Sequence, residues 1–246
     1  AVLFSLSGKN IYSSQKEFKQ YFPKDGWVEH NPNEIWNTTK KVLIDVINKS
    51  KKLKGKILTI GITNQRETTI LWNKKTGKPV YNAIVWQDRR TAEFCKKFKT
   101  NKKEKFINRR TGLLIDPYFS ATKIKWILDN VVIAKRLLRN NNLLFGTIDT
   151  FLLWKLTKGK IHATDATNAS RTMLFNISRN KWDKDILKIL NIPKNILPTV
   201  KDSSDDFGAT DKSITGTSYP INGVVGDQQA ATIGQSCFEK GSVKST

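Results

Sequence analysis

Polar segments stand where apolar runs of this sequence end, and they carry the residue types that could do chemistry. After the apolar run 56–63, Arg66 places five fixed N–H donors beside the Glu67 carboxylate. Such a pair suits a small polyol, because every polyol hydroxyl both donates and accepts a hydrogen bond. A surface ion pair without function, worth about 0–1 kcal/mol, explains this one segment equally well.

Two aromatic residues could form the wall of a pocket. Trp86 closes the apolar run 80–86 just before the polar segment 87–90, and Tyr118 lies where a loop meets a predicted helix. Either ring could offer an apolar face, and the tyrosine adds a hydroxyl. From each segment alone, a core tryptophan and a packing tyrosine with a satisfied hydroxyl are the favoured interpretations.

An aspartate follows the last strand-like run of the chain. Asp227, with Gln228 beside it, stands at a strand-to-helix turn, where a helix N-terminus favours negative charge. One interpretation is an ordinary N-cap aspartate. The other is a carboxylate that takes the proton from an alcohol as the alcohol attacks phosphorus.

Several reaction classes find no support in the sequence. Neither His30 nor His162 falls in these polar segments, so no nucleophile–His–carboxylate set is indicated. The sequence also contains no GxxxxGK[ST] phosphate loop, no GxGxxG turn and no zinc-like cysteine spacing. Acid–base transfer is therefore the best-supported class of chemistry.

Composition predicts a folded domain and limits its partners. The 246 residues are 38% hydrophobic, enough apolar surface for a core, and no run approaches the roughly 18–20 apolar residues of a membrane helix. A formal charge of +22 would attract nucleic acid, but the lysines form short runs and then scatter, as on a solvated surface. Cys95 and Cys237 fit reduced thiols in a cytoplasmic protein. The chain lacks an initiator Met, and we expect it to be part of a longer protein.

The elements that must position the polar segments alternate between strands and helices. Asn31 predicts a helix start at Pro32, with Glu34 closing a capping box. An α/β sandwich whose sheet edges present loops to a ligand is therefore expected. The other predicted elements are a hairpin over 1–22, strands 56–63, 68–72, 80–86 and 221–226, and helices 90–98, 120–130, 132–138, 147–156, 183–190 and 228–235.

Seven segments, in order from about residue 16 to 235, resemble the signatures of the glycerol kinases within the carbohydrate kinase family. The block NQRETT at 64–69 is the one that points to glycerol among sugar-specific relatives. The segments are 26–30 (GWVEH), 61–69 (GITNQRETT), 81–87 (YNAIVWQ), 116–120 (DPYFS), 145–150 (FGTIDT), 164–174 (TDATNASRTML) and 226–230 (GDQQA).

The resemblance implies a fold and a place in a larger enzyme. The fold would be α/β and ribonuclease-H-like (actin-like ATPase), with a mixed β-sheet flanked by helices. Residues 1–246 would be the N-terminal polyol-binding domain of a two-domain kinase, and the first phosphate-binding strand and the C-terminal domain would lie outside this chain. We therefore expect the fragment alone to be inactive, because phosphoryl transfer depends on positioning by all these parts.

The resemblance also implies the substrate contacts. Arg66 and Glu67 would hydrogen-bond the glycerol hydroxyls, Tyr118 would add a further contact, and Trp86 would pack on the carbon side. Bacterial relatives carry a regulatory sugar-phosphate site near 201–219, but the expected Gly/Arg pattern is not evident there, so this regulation is not predicted.

The reaction implied is ATP-dependent phosphorylation of glycerol to sn-glycerol 3-phosphate, by a phosphotransferase with an alcohol acceptor. Asp227 would be the general base and would contact the substrate, as would Gln228. ATP and Mg²⁺ would be required, with no cofactor-binding or metal-binding residue in this chain. A cytoplasmic homo-oligomer, such as a dimer, is expected, without nucleic acid. The alternatives are a kinase of another polyol or sugar, a non-catalytic relative, or a basic nucleic-acid-binding module.

Overall fold

The structure is a computed structural model that describes residues 1–245, an α/β arrangement of short strands and helices. The strands are β1 (Val2–Phe4), β2 (Asn10–Ser13), β3 (Gln20–Tyr21), β4 (Glu29–His30), β5 (Ile60–Asn64), β6 (Ile70–Asn73), β7 (Ala83–Ile84), β8 (Leu143–Gly146), β9 (Ala163–Asp165), β10 (Phe175–Asn176), β11 (Lys181–Trp182), β12 (Thr199–Lys201) and β13 (Ile221–Gly226). The helices are α1 (Pro32–Lys52), α2 (Ala92–Phe98), α3 (Asn101–Thr111), α4 (Ser120–Asn130), α5 (Val132–Arg139), α6 (Ile148–Leu156), α7 (Ala166–Ala169), α8 (Lys184–Leu190), α9 (Lys212–Thr215) and α10 (Asp227–Gly234).

Parallel pairing of β5 with β13 organises the region where the polar segments meet. Val225 lies opposite Thr63, and Gly226 lies opposite Asn64, so the two strands end at the same level. Parallel strands run in one direction, so the residues that follow both strands leave from the same edge. The loop after β5 and the first turn of α10 are thereby brought together.

The remaining strands form small sheets of mixed direction. Within residues 1–245, each sheet has two or three strands. β9 pairs with β12 in parallel, whereas β6 pairs with β8 and β4 with both β3 and β7 in antiparallel fashion. Helices cover these sheets, as an α/β layer architecture requires.

Two groups of buried apolar side chains form the core. One gathers around α4, α8 and β10, and the other lies between β5, β6, α6 and β13. Trp72 is fully buried in the second group, where its ring meets Phe151 at 5.3 Å and His162 at 5.6 Å, both edge-on. His162 Nε2 donates to the Phe145 carbonyl oxygen at 2.8 Å, and burial lowers the pKa of this imidazole to about 4. A neutral histidine with one backbone acceptor serves packing here.

The hairpin and most predicted helices are confirmed, but some boundaries are wrong. The strand predicted over 56–63 begins only at Ile60, because the pairing with β13 starts there, opposite Ile221. The strand predicted over 80–86 is reduced to β7, with only two paired residues. Helix α3 and strand β8 were not predicted, although Thr100 caps α3 and Gly112 ends it in the left-handed conformation.

The start of α1 is confirmed, but the capping box is wrong. Asn31 Oδ1 accepts from the backbone N of Asn33 at 2.9 Å, as an N-cap should. The Glu34 carboxylate instead accepts from the Tyr21 hydroxyl at 2.6 Å and from the Lys19 backbone N at 3.3 Å. Glu34 therefore ties β3 to the helix rather than closing the helix on itself.

The lengths and hydropathies of the helices decide whether any of them could span a membrane. Within residues 1–245, none is both long and apolar enough to cross a lipid bilayer.

The close approach at Gly146 gives a test of this packing. A Cβ at Gly146 would lie 2.5 Å from Thr150 Cβ and 2.9 Å from Trp72, whereas a Cβ at Gly61 would meet nothing within 4 Å. We expect Gly146→Ala to lower the free energy of unfolding by about 1–3 kcal/mol through overpacking. Gly61→Ala, the strand-glycine control, should stay within about 0.5 kcal/mol of the wild type. Urea unfolding measures the free energy of unfolding of both variants. Equal unfolding midpoints for Gly146→Ala and Gly61→Ala would contradict this packing.

Candidate functional site

An ion pair joins the ends of β5 and β13. Arg66 Nε lies 3.1 Å from Asp227 Oδ1, and Arg66 Nη1 donates to Gln229 Oε1 at 3.2 Å. Asp227 is the first residue of α10, and Gly226 is its N-cap, so the N-cap interpretation of Asp227 is wrong by one position. The carboxylate also accepts from the backbone N of Gln228 at 2.8 Å. The parallel register of the two strands brings this cation and anion together.

The last residue of β13 must be glycine for this contact to form. A Cβ at Gly226 would lie 2.4 Å from Arg66 Cδ, so any larger residue would displace the arginine stem. The backbone N of Gly226 donates to Thr167 Oγ1 at 2.8 Å, and that hydroxyl donates to Asp165 Oδ2 at 2.6 Å. Thr167 and Asp165 thus fix the turn that carries Asp227.

Glu67 is held in a strained and buried position. Its φ is 60°, in the left-handed region that non-glycine residues seldom adopt, and it is 2% exposed. Its carboxylate accepts from Arg171 Nε at 2.6 Å, and its carbonyl oxygen accepts from Ser120 Oγ at 2.9 Å. Burial raises the pKa of Glu67 above its ordinary value, against the opposing effect of Arg171. Strain of this kind, held by surrounding contacts, is typical of functional sites.

The aromatic wall is connected to Glu67 by the same arginine. The Trp86 and Tyr118 rings lie 5.5 Å apart, and both residues are half-buried. The Arg171 guanidinium lies 5.6 Å from the Tyr118 ring centre and 5.0 Å from that of Phe119. Burial and the Glu67 charge raise the pKa of Tyr118. Arg171 therefore bridges the acidic and aromatic parts of the cluster.

A buried arginine anchors the turn after Trp86. The Arg90 side chain is 0% exposed, and its Nη2 donates to Glu29 Oε1 at 2.7 Å and Asp88 Oδ2 at 2.8 Å. Its guanidinium lies 3.8 Å from the ring centre of Trp27 and 4.7 Å from that of Trp126. This cluster explains why the polar segment 87–90 follows the tryptophan.

A layer of buried polar groups lies beneath the site. Asn64 Nδ2 donates to Asn168 Oδ1 at 3.0 Å and to Asp149 Oδ1 at 3.3 Å, while Asn64 Oδ1 has no partner among residues 1–245. Thr147 and Thr164 donate to the Asp149 carboxylate at 2.5 and 2.7 Å. Burial raises the pKa of Asp149 to about 6. These residues support the loop after β5 without facing solvent.

The structure joins the predicted site residues in two groups. Asp227 contacts Arg66 directly. Arg171 links Glu67 to Tyr118, and the Tyr118 ring lies beside Trp86.

Of the other residues near the site, Gln228 was predicted from the sequence, whereas Arg171 and Gln229 were not. Gln228 lies on the exposed side of α10, where its Oε1 accepts from Lys244 Nζ at 2.6 Å. Arg171 and Gln229 were not predicted as site residues. The only signal for Arg171 was an isolated basic residue in the segment 164–174.

Two surface cavities lie away from the Arg66–Asp227 contact. One, of about 750 Å³, is lined by residues between 176 and 200, and the other, of about 540 Å³, by residues 47–58 and 217–220. Within residues 1–245, no group of three or more His, Cys, Asp or Glu side chains is placed to hold a metal ion. The charged cluster around Arg66 is therefore the candidate site, and its groups can bind hydroxyls and accept a proton.

The Arg171–Glu67 pair gives a test of how the site is held. We expect Arg171→Met to lower the free energy of unfolding by about 2–4 kcal/mol, because it leaves the Glu67 carboxylate buried and unpaired. Arg89→Met is the control, since Arg89 pairs with Asp116 at 3.5 Å with side chains 58% and 43% exposed. That change should cost about 0–0.5 kcal/mol in urea unfolding. Equal losses in both variants would mean that Glu67 does not depend on Arg171.

Comparisons with known proteins agree with the motifs. The profile described as "FGGY family of carbohydrate kinases, N-terminal domain" matches residues 1–234. Among curated relatives, the glycerol kinases of Petrotoga mobilis and Caldanaerobacter subterraneus subsp. tengcongensis are 56% and 57% identical over 246 residues. Both alignments cover 100% of this chain but 49% and 50% of the relative. The chain spans about half the length of the curated relatives it matches.

Solved structures agree with the fold. Plasmodium falciparum glycerol kinase, solved with ADP, superposes with a TM-score of 0.90 at 36% identity, over 98% of this chain and 48% of that chain. Lactobacillus acidophilus gluconate kinase superposes with a TM-score of 0.82 at 24% identity, over 94% of this chain and 46% of that chain, which shows the fold alone. The predicted α/β fold of the actin-like ATPases is confirmed. This chain belongs to the FGGY family of carbohydrate kinases and matches the N-terminal domain of that family.

Proposed function

We propose that this chain is the N-terminal, polyol-binding half of an ATP-dependent glycerol kinase, which converts glycerol to sn-glycerol 3-phosphate. The proposal is supported by relatives named glycerol kinase that are 56% and 57% identical along the whole chain. The observation that carries it is the contact of Arg66 with Asp227 at 3.1 Å, directly beside the buried Glu67. This contact supports the proposal because a guanidinium that could bind hydroxyls lies beside a carboxylate that could accept a proton.

Glycerol capture would use the charged and aromatic groups together. The Arg66 guanidinium has five N–H donors, and its bonds to Asp227 and Gln229 use two of them. Glu67 can accept from a hydroxyl, and the Tyr118 phenol can donate or accept. Trp86, at 5.5 Å from Tyr118, would lie against the carbon chain, which has no hydrogen-bonding capacity.

Asp227 would act as the general base. The attacking hydroxyl gives its proton to the Asp227 carboxylate while its oxygen bonds to the γ-phosphorus of ATP. The bond from that phosphorus to the bridging oxygen breaks, and ADP leaves with the electron pair. The Asp227 side chain is 46% exposed and belongs to a helix with no buried residue, so it stands on an open side of the domain.

ATP is the co-substrate of this reaction, and Mg²⁺ would neutralise its phosphates. The magnesium would be carried mainly by the nucleotide, because it bridges phosphate oxygens. We assign no nucleotide-binding residue to this chain.

Location and assembly are further parts of the proposal. Cys95 and Cys237 are both free thiols, as expected in the reducing cytoplasm where ATP is abundant. The homo-oligomer expected for the full protein stays a prediction.

Two substitutions in the full-length protein test the roles of the ion pair. We expect Asp227→Asn to lower kcat by about 100-fold or more, because an amide cannot accept the hydroxyl proton. Arg66→Ala should raise the glycerol KM by about 10–100-fold, the loss expected from charged hydrogen bonds. Asp129→Asn, at a surface pair on α4 that is 53% exposed, is the control and should leave both constants unchanged.

A coupled assay for ADP measures these constants with glycerol and with a panel of pentoses and sugar acids. Near-normal turnover by Asp227→Asn would remove the base assignment. Faster turnover of a sugar than of glycerol would favour a kinase of another substrate in the same family.

The two-domain proposal has its own test. Residues 1–246, expressed alone, should form no detectable glycerol 3-phosphate from glycerol and Mg-ATP, whereas the full-length protein should. The reason is that phosphoryl transfer depends on groups that position and neutralise the phosphates. Circular dichroism of the fragment is the control for folding. Product formation by the folded fragment would refute the proposal that the reaction needs both domains.

A further inference from the structure

Lys123 is a buried cation next to the candidate site. It lies in the first half of α4, and its side chain is 0% exposed. In a chain with 43 lysines and arginines, which mostly occupy surface positions, this burial needs a reason. Taking an ammonium out of water costs several kcal/mol, roughly, unless the protein supplies other partners.

The partners of Lys123 are three consecutive backbone carbonyls. Its Nζ donates to the carbonyl oxygens of Pro117 at 2.8 Å, Tyr118 at 2.5 Å and Phe119 at 3.4 Å. A lysine ammonium has three N–H donors, so the number of acceptors matches its capacity. Burial lowers the pKa of Lys123 to about 7, although Asp88, Glu67, Cys95 and Asp116 all favour its charged form.

The position of Lys123 in the helix makes this contact possible and also unusual. Lys123 is the fourth residue of α4, and helical side chains point back toward the N-terminus, so its ammonium reaches the residues before the helix. A cation near a helix N-terminus is disfavoured by the helix dipole. The carbonyls of 117–119 therefore offset part of the cost of placing the ammonium here, and all three point toward the lysine.

The same turn of α4 also contacts the backbone of Glu67. Ser120, the first residue of α4, donates its hydroxyl to the Glu67 carbonyl oxygen at 2.9 Å. The start of α4 thus fixes the backbone of Tyr118 through Lys123 and the backbone of Glu67 through Ser120. Both are residues that we assign to the polyol.

We propose that Lys123 is a positioning residue, which fixes the Tyr118 backbone so that the phenol ring stays beside Trp86 and faces the polyol. The choice of a polyol as the ligand rests on the proposed glycerol kinase function. The positioning of Tyr118 by Lys123 does not depend on that function. Without the ammonium, the carbonyls of Pro117 and Tyr118 lose their donor, whereas that of Phe119 keeps the Thr122 hydroxyl at 3.5 Å, so the backbone at 117–118 turns toward water. The Tyr118 ring then leaves its position 5.5 Å from Trp86.

Lys123→Met in the full-length protein is the first test, because methionine keeps the length of the side chain and removes the donors. We expect the glycerol KM to rise about tenfold, the effect of losing one well-placed hydrogen bond, with kcat changed less than about threefold. Lys125→Met is the matched control, since Lys125 lies on the same helix but forms a surface pair with Asp129 at 2.9 Å. This control should keep the wild-type KM, and an unchanged KM in Lys123→Met would overturn the proposal.

A double-mutant cycle shows whether Lys123 acts through Tyr118. In the Tyr118→Ala background, Lys123→Met should change KM less than about twofold, because the ring that it positions is gone. Fully additive effects on KM would mean that Lys123 only supports the fold, and would overturn the proposal.

Crystal structures of the wild type and Lys123→Met separate this proposal from the proposed function. A Tyr118 ring that stays at its wild-type distance from Trp86 in the variant overturns the positioning role, whatever the substrate. A displaced ring in a protein that does not phosphorylate glycerol supports the positioning role and rejects only the function. If Lys123→Met and Lys123→Gln both fail to fold, Lys123 is a folding residue and the proposal is rejected.

Discussion

The candidate site depends on the parallel register between β5 and β13. Because Gly226 lies opposite Asn64, the residues just beyond each strand emerge side by side, and Arg66 meets Asp227. A shift of one residue in this register would point alternate side chains to the other face and separate the pair. The buried apolar residues of both strands fix the register, so the core packing also sets the geometry of the chemistry.

Charges in this region are held by other fixed groups of the protein rather than by solvent alone. Arg171 compensates the buried Glu67, and backbone carbonyls compensate Lys123. Such preorganised groups lose little by reorganisation when a polar ligand arrives, which is the usual advantage of a built site over a flexible one. The same arrangement makes the region sensitive to single substitutions, because removing one partner leaves the other buried and unpaired.

The sequence indicated the site better than it indicated the outline of the sheets. Arg66 and Asp227 were predictable because polar residues directly after apolar strands are uncommon in a plain core, and both fell in recognisable motifs. Arg171 was not, since its role comes from a contact with Glu67 across 104 positions of sequence. Lys123 was not either, because helical periodicity alone gives a lysine no reason to be buried.

Strand lengths failed for a related reason. The apolar run 80–86 predicts a full strand, yet in the described part of the chain the strand is limited to Ala83 and Ile84, since pairing is decided by distant segments rather than by local propensity. Helix α3 was hidden by its many lysines, which left few apolar positions to show a period. In both cases the missing information was tertiary.

The backbone conformation at position 67 and the side chain found there favour different residue types. With φ at 60°, the backbone at this position favours glycine, which has no Cβ to oppose the left-handed region. Glycine, however, would remove the anion that pairs with Arg171 at 2.6 Å. The backbone strain at position 67 is therefore tolerated only because the surrounding contacts hold the carboxylate in place, and no single residue type relieves the strain and also keeps the ion pair.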